Sequence, residues 1–221
     1  LIENGWWSIG TSSSNERTYW SENGVRQGTE GRGKEIYDPE NNAWYWLDAV
    51  QDGAMAVSKD VYQESRAGEY GDTVGADGER YGKWVRYDEN GHMVKGWQTT
   101  NAGTYYFDLT TGAMYKGKVI IDGVSCVFDD NTGIGVDCKW LEFDGVKYWY
   151  EGGRRQGLEG RGKEIFDPAS NAWYWLDAID GGKMAVNKDV YQESNGGKWV
   201  RYDANGRMVK GWNTKDGKRY Y

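Results

Sequence analysis

Two stretches of this chain are near copies of one another. Tyr19–Ser65 aligns without a gap on Tyr148–Ser194 at a constant offset of 129, and 35 of the 47 positions are identical. Both contain the string NAWYWLDA, at Asn42–Ala49 and Asn171–Ala178. The likeness resumes at Gly82–Thr99 against Gly197–Thr214, now at an offset of 115, so the first copy carries a 14-residue insertion within 66–81. Duplication of this kind points to architectures in which like units pack on like neighbours. The expected organisation is a single repeat domain over 1–221, with long duplicated units at 19–99 and 148–214 and intervening repeats at 100–147.

A shorter period lies inside the long one. An aromatic residue or Leu, then an acid, then a glycine-containing turn recurs at Leu47-Asp48, Tyr87-Asp88, Phe107-Asp108, Phe128-Asp129, Tyr150-Glu151, Leu176-Asp177 and Tyr202-Asp203. With the insertion removed, these acids are 20–26 residues apart. Units of that length with alternating side chains ahead of an Asn-Gly turn read as β-hairpins. Trp84, Arg86 and Asp88 alternate with Val85 and Tyr87 before ENG turns the chain, and DANG, LTTG and DDNTG do the same elsewhere. All five Met residues (Met55, Met93, Met114, Met184 and Met208) fall just after such turns, which predicts a shared packing position on the return strand. An aromatic also stands seven residues ahead of several hairpins, as Tyr37 precedes Trp44 and Phe166 precedes Trp173, and KDVYQES reads as a lead-in of the same kind. A lone hairpin is unstable in water, so the units must stack. The predicted fold class is all-β, a β-solenoid of stacked β-hairpin repeats of 20–26 residues.

Composition says what the stack is made of. Thirteen Trp and 17 Tyr stand against six Leu, so the core must be built largely from rings, each with one polar atom. A net charge of −7 with acids and bases intermixed argues against a nucleic-acid partner and fits poorly with attraction to bare anionic lipid. No run approaches the length of a membrane span, so direct membrane insertion is not expected. The chain begins at Leu1 without a signal peptide and stops mid-pattern at KRYY, which reads as a mature protein or an excised piece of a larger one.

The string GWQTTNAGTYYFDLTTGAMYKG (Gly96–Gly117) resembles a cell-wall-binding repeat of the choline-binding and glucan-binding type. That pattern is Gly-Trp, a short link with Gly, an aromatic triplet, an acidic or polar turn, then Met. Gly82–Trp97 and Gly197–Trp212 fit it well; Tyr37 replaces Gly-Trp ahead of one WYW, and Cys126 and Val127 stand where rings belong. The family is shared by surface proteins, lytic enzymes and clostridial toxins of Gram-positive bacteria, so the resemblance implies an extracellular solenoid with ligand sites between hairpins. On the family pattern the implied ring walls are Trp97 with Tyr105 and Tyr115 or Met114. Next come Trp44 and Trp46, Trp84, Trp140 with Trp149, Trp173 and Trp175, Trp199, and Trp212. Rings open on one side can cage a quaternary ammonium by cation–π attraction or stack on sugar faces. The competing reading is that the rings are core. Alternation would send Trp44 and Trp46 to one face and Tyr45 to the other.

Catalytic residues and cofactors are not expected. His92 is the only His, the acids occupy equivalent turn positions, and no zinc, phosphate-loop or nucleophile-elbow motif is present. Asp129 and Asn131, or Asp72, Asp77 and Glu79, sit near glycines but complete no calcium loop, and no metal is expected. DDNTG lies midway between Cys126 and Cys138, so a hairpin closed there sets the two opposite each other for a cross-strand disulfide; two buried free thiols are the alternative. The expected function is a non-catalytic module holding a secreted protein to the bacterial surface through choline-bearing teichoic acid or polysaccharide. Alternatives are a glucan or host-glycan binder, a structural stalk, or an ancillary domain of a cell-wall hydrolase or toxin.

Overall fold

The computed structural model describes residues 3–10, 16–64, 82–193 and 197–221. The insertion at 66–81, with Asp72, Asp77 and Glu79, lies outside the described residues. Among the described residues every regular element is a β-strand except one 3-10 helix, Ala49–Gln51. The chain divides into two compact units, residues 1–99 with 106–115, and residues 100–105 with 116–221. In the first, Gly5–Ile9 pairs with Arg17–Glu22, Gly33–Asp38 with Ala43–Asp48, and Lys59–Glu64 with Gly82–Tyr87, all antiparallel. In the second, the antiparallel pairs are Gly117–Ile121 with Val124–Phe128, Lys139–Phe143 with Val146–Glu151, Gly162–Asp167 with Ala172–Asp177, Lys188–Gln192 with Lys198–Tyr202, and Asn213–Lys215 with Lys218–Tyr220. Each unit is a solenoid-like stack of hairpins.

The hairpins close one turn earlier than the sequence suggests. KDVYQE is itself a first strand, pairing residue for residue with Gly82–Tyr87 (Val61 opposite Val85, Tyr62 opposite Trp84). The ENG, LTTG and DANG turns instead lead into single bridges, Tyr87 to Met93, Phe107 to Met114, and Tyr202 to Met208. Their geometry comes from the preceding acid. Asp88 Oδ1 accepts from the Asn90 and His92 N–H groups, and Asp203 Oδ1 from those of Asn205 and Arg207. Turn acids of this kind satisfy backbone donors that the ladder leaves free.

The seven residues that mark the short period (Leu47, Tyr87, Phe107, Phe128, Tyr150, Leu176 and Tyr202) are also, among the described residues, the seven largest fully buried side chains. Each such burial contributes about 1.5–3 kcal/mol. The WYW strands are buried on both faces, since a strand inside a stack has a hairpin on either side. Tyr45 and Leu47 pack with Ile36, Trp6 and Trp20, whereas Trp46 packs with Ala56, Val61, Val85 and Tyr87. Tyr174 and Leu176, then Trp175, repeat this division in the second copy.

Successive hairpins are joined by one recurrent backbone bond. The Met93 N–H donates to Trp44 O, that of Met114 to Trp84 O, and that of Met208 to Trp173 O, each at 2.8 Å. Gly135 N–H donates to Thr104 O in the same way at 2.7 Å. The Met side chain then fills the space under the next turn. A Cβ on Gly91 would come within 2.7 Å of Met55 Sδ, and one on Gly206 within 2.8 Å of Met184 Sδ.

Cys126 and Cys138 do not form the expected disulfide; both are free, Cys126 buried and Cys138 exposed. The DDNTG turn closes with Phe128 opposite Gly135 and Val136 N–H on Val127 O. Beyond that point a later segment takes over the edge. Gly153 O accepts from Val127 N–H, Gly153 N–H donates to Val136 O, and Arg154 is the residue opposite Cys126. The two cysteines are therefore separated by another strand.

Two outcomes follow from this packing. Gly91→Ala should lower stability by about 1–2 kcal/mol in urea unfolding, because Gly91 has φ +77° and the flexible Met55 can yield only in part. One thiol per chain, Cys138, should react with a disulfide reagent in the native protein, and two in denaturant; an unreactive denatured chain without reductant would restore the disulfide.

Candidate functional site

The ring arrangement is built from a Trp on the first strand of a hairpin and a ring opposite it on the second. Trp6 faces Trp20 across the pair (centroids 5.0 Å apart, 69° between planes), and Trp140 faces Trp149 (5.1 Å, 70°). The next hairpin adds a third ring. Tyr45 lies 4.7 Å from Trp6 at 62°, and Tyr174 lies 5.0 Å from Trp140 at 70°. Met55 and Met184 complete the two clusters. In a third instance Trp97 meets Tyr106 at 5.0 Å and 61°, and Tyr106 meets Tyr115 at 5.1 Å. A fourth is the pair Trp212–Tyr221, 5.2 Å apart. In the second unit a cavity of about 770 Å³ opens on Trp140, Tyr174 and Met184, with Asp167 and Asp177 among its walls.

In the two Trp–Trp corners the indole edges are already engaged. Trp6 Nε1 donates to Asp38 Oδ2 (2.9 Å) and Trp20 Nε1 to Glu22 Oε1 (3.2 Å); Trp140 donates to Asp167 (3.3 Å) and Trp149 to Glu151 (2.9 Å). With the N–H groups bound, each indole offers a ligand its ring face; around the Trp140 cavity Asp167, Asp177 and Asp180 stand together with Lys147, Lys183, Lys188 and Arg207. Ring faces favour a cation or an apolar sugar face. Burial pushes the Asp38 and Asp167 carboxyls upward, but the hydrogen bonds from Trp6, Glu40 and Asn41, or from Ser170, Ala169 and Trp140, outweigh it and hold both below the usual 3.8.

The predicted residues are distributed over distinct environments. Trp97, Tyr115, Trp140 and Trp149 belong to ring corners, although Trp149 is itself buried and forms the base of its corner. Trp44 and Trp84 in the first unit, and Trp173 and Trp199 in the second, are exposed ring pairs of another kind, each tilted against the residue directly opposite: Tyr37, Tyr62, Phe166 and Tyr191 at 5.2–5.4 Å. A cavity of about 600 Å³ lies against the Tyr37–Trp44 pair, with Asp88 and His92 on its wall. Trp46 and Trp175 are not site walls. They are 6 % and 5 % exposed inside clusters with Val61 and Val190, so no ligand reaches them. Met114 is half-buried on its return strand, Tyr105 is buried, and Trp212 is exposed. His92 packs edge-on against Tyr45, and Asp129 caps its own turn through Asn131 and Thr132.

Sequence reasoning missed Trp6, Trp20, Tyr45 and Tyr174, and took Tyr105 for the wall that Tyr106 supplies. The signals were present: Gly5-Trp6 is a Gly-Trp dipeptide, and the offset of 129 maps Trp20 onto Trp149. The middle Tyr of WYW looked like the outward residue of the triplet because its partner ring comes from a different hairpin.

A carboxyl held below 3.8 contributes stability that is complete above the unfolded value and is lost as pH falls through the lower folded value. Asp167→Asn should therefore be less stable than the parent by a constant amount between about pH 5 and 8, with the gap closing below about pH 4. Urea unfolding across that range measures it, and a gap independent of pH down to 2 would contradict the role given to Asp167.

The choline-binding repeat family matches residues 81–118 and 94–140. No curated protein sequence matches the chain. Among solved structures, CbpF in complex with ipratropium shares 21 % identity, covering 98 % of this chain and 69 % of that one with a TM-score of 0.54. Choline binding protein F from Streptococcus pneumoniae, in the presence of a tetrasaccharide-pentapeptide peptidoglycan analogue, gives 21 % identity, the same coverage and a TM-score of 0.51. Among the described residues no helix is long and apolar enough to cross a membrane, and no cluster of His, Cys, Asp or Glu could hold a metal ion. Residues 81–140 thus match the choline-binding repeat family, in a chain that shares its fold with a choline-binding protein.

Proposed function

We propose that this chain is a non-catalytic binding module that attaches a secreted protein to a bacterial cell surface through choline groups of wall polymers such as teichoic acid. The observation that carries the reading is the corner of two Trp and one Tyr, built twice with the same Met and the same carboxylate behind the first indole. A quaternary ammonium cannot donate hydrogen bonds, and these corners offer it ring faces with their donors already occupied. Several weak sites on one chain would give a polymer avidity that a single corner lacks. The complex of CbpF with ipratropium is consistent with ligand binding on this fold.

A second reading rests on the exposed ring pairs. Tyr37–Trp44, Tyr62–Trp84, Phe166–Trp173 and Tyr191–Trp199 are ring pairs open to solvent, with Trp199 72 % exposed, and they suit stacking on the faces of glucan or peptidoglycan sugars.

Choline titration followed by Trp fluorescence separates the two. Saturable quenching is expected, with Trp140→Ala weakening its own site by roughly 2- to 30-fold, the loss of one ring's contribution of about 0.5–2 kcal/mol. The combined Trp6→Ala, Trp97→Ala and Trp140→Ala variant should lose most of the response, and Trp199→Ala should retain it. A response to oligosaccharide alone, lost in Trp199→Ala, would move the function to the exposed ring pairs. Silence towards both would leave a structural stalk.

A further inference from the structure

The two copies differ beside the Trp140 corner, whose cavity shares Lys183 and Val146 with a second one. In the first copy Arg26 lies over Tyr19 (5.3 Å to the ring centroid) and is paired with Asp52 at 2.7 Å. The matching arginine of the second copy, Arg155, lies over Tyr148 in the same way at 5.1 Å. Its acid is gone, because the residue equivalent to Asp52 is Gly181. A further change adds charge: Ala54 of the first copy becomes Lys183, which stands directly opposite Tyr148. A third cation, Lys118, reaches in from the strand Gly117–Ile121 and lies 3.9 Å over the Phe143 ring.

Lys118, Arg155 and Lys183 line one cavity of about 440 Å³, floored by Phe143 and Tyr148 and holding one carboxylate, Asp144. Among the described residues none of the three cations has an ion-pair partner, and Arg155 Nε is buried with no acceptor. A buried guanidinium donor without an acceptor is costly, and a chain of net charge −7 has ample carboxylates to supply one. The second copy instead has Gly181 where the first has this acid.

We infer that this cavity is an anion site that takes a phosphate group. Three cations against one carboxylate leave an excess of two positive charges, which a phosphate monoester matches and a monocarboxylate does not. Arg presents paired donors suited to phosphate oxygens, and Lys118 and Lys183 supply further donors from two other strands. The rings of Phe143 and Tyr148 would lie beneath whatever carries the phosphate, so the source is either a sugar phosphate or free phosphate.

Gly181→Asp is the deciding variant. Gly181 has φ +67° with open space around its Cβ, and Asp52 occupies the equivalent position at φ +58°, so the substitution reinstates the first copy's ion pair without disturbing the turn. Calorimetric titration at low ionic strength with inorganic phosphate, glucose 6-phosphate and glucuronate should show phosphate-bearing ligands binding, and weakened at least about tenfold in Gly181→Asp. Tighter binding of the sugar phosphate than of phosphate would support the ring-floored ester form; equal binding would support free phosphate. Arg155→Gln should weaken binding likewise, and it decides the matter should Gly181→Asp fail to fold. The choline response of Trp140 should persist in both variants, which separates this site from the ring corners. Glucuronate binding as tight as glucose 6-phosphate, unchanged affinity in both variants, or no phosphate binding by the parent chain would each overturn the assignment.

Discussion

A recurrent backbone hydrogen bond between successive hairpins holds this architecture in register. The N–H of the residue after each turn, usually Met, reaches the carbonyl of the leading residue of the previous hairpin, at Met93–Trp44, Met114–Trp84 and Met208–Trp173. The bond fixes where the return residue lies, and so where its side chain goes: under the glycine of the next turn. It also places each WYW strand between two hairpins, which is why Tyr45, Trp46 and Leu47 are buried in succession. The ring corners depend on the same spacing, since Tyr45 meets Trp6 only because consecutive hairpins are held close enough for rings to touch at 4.7 Å.

Polar groups inside the stack are satisfied in the same repetitive manner. Gln63 Nε2 donates to Glu35 and to the Tyr87 hydroxyl oxygen, and Gln192 makes the same bonds to Glu164 and Tyr202. Burial, followed by the Glu164 charge, pushes the Tyr202 hydroxyl far up, so it stays protonated and donates to that carboxylate. Ion pairs are duplicated too, Lys34–Glu22 with Lys163–Glu151 and Lys59–Asp48 with Lys188–Asp177. Against this uniformity the loss of the Arg26–Asp52 pair from the second copy stands out as a change of chemistry. An ion pair whose acid alone disappears leaves a cation in search of an anion.

Much of the fold was legible because stacking repeats a simple demand. Each layer needs one large buried side chain, followed by an acid that in most layers closes the turn, and the spacing of those pairs along the chain identified all seven anchors. Hairpin boundaries were harder. Asn-Gly is a strong local turn signal, but the ladder at Lys59–Glu64 and Gly82–Tyr87 forms across a different connection, and the Asn-Gly turn serves the link to the next layer. The disulfide expectation failed for a related reason: Arg154, 28 residues beyond Cys126, occupies the edge that a simple hairpin would have given to Cys138. Site residues were legible where a Trp and its partner ring lie in one hairpin, as at Trp140 and Trp149, and hidden where the third ring comes from the next.

The sequence by itself determined the repeat, the all-β class, the ring-built core and the positions of its anchors, because these follow from periodicity and side-chain chemistry within a single unit. Tertiary structure decided which rings are walls and which are filling. Trp44 and Trp46 have the same type, spacing and strand, yet one lies at an exposed edge and the other is sealed by the following hairpin. That difference is set by what stacks on a strand after it forms, a property of neighbouring layers that no residue pattern within one layer contains.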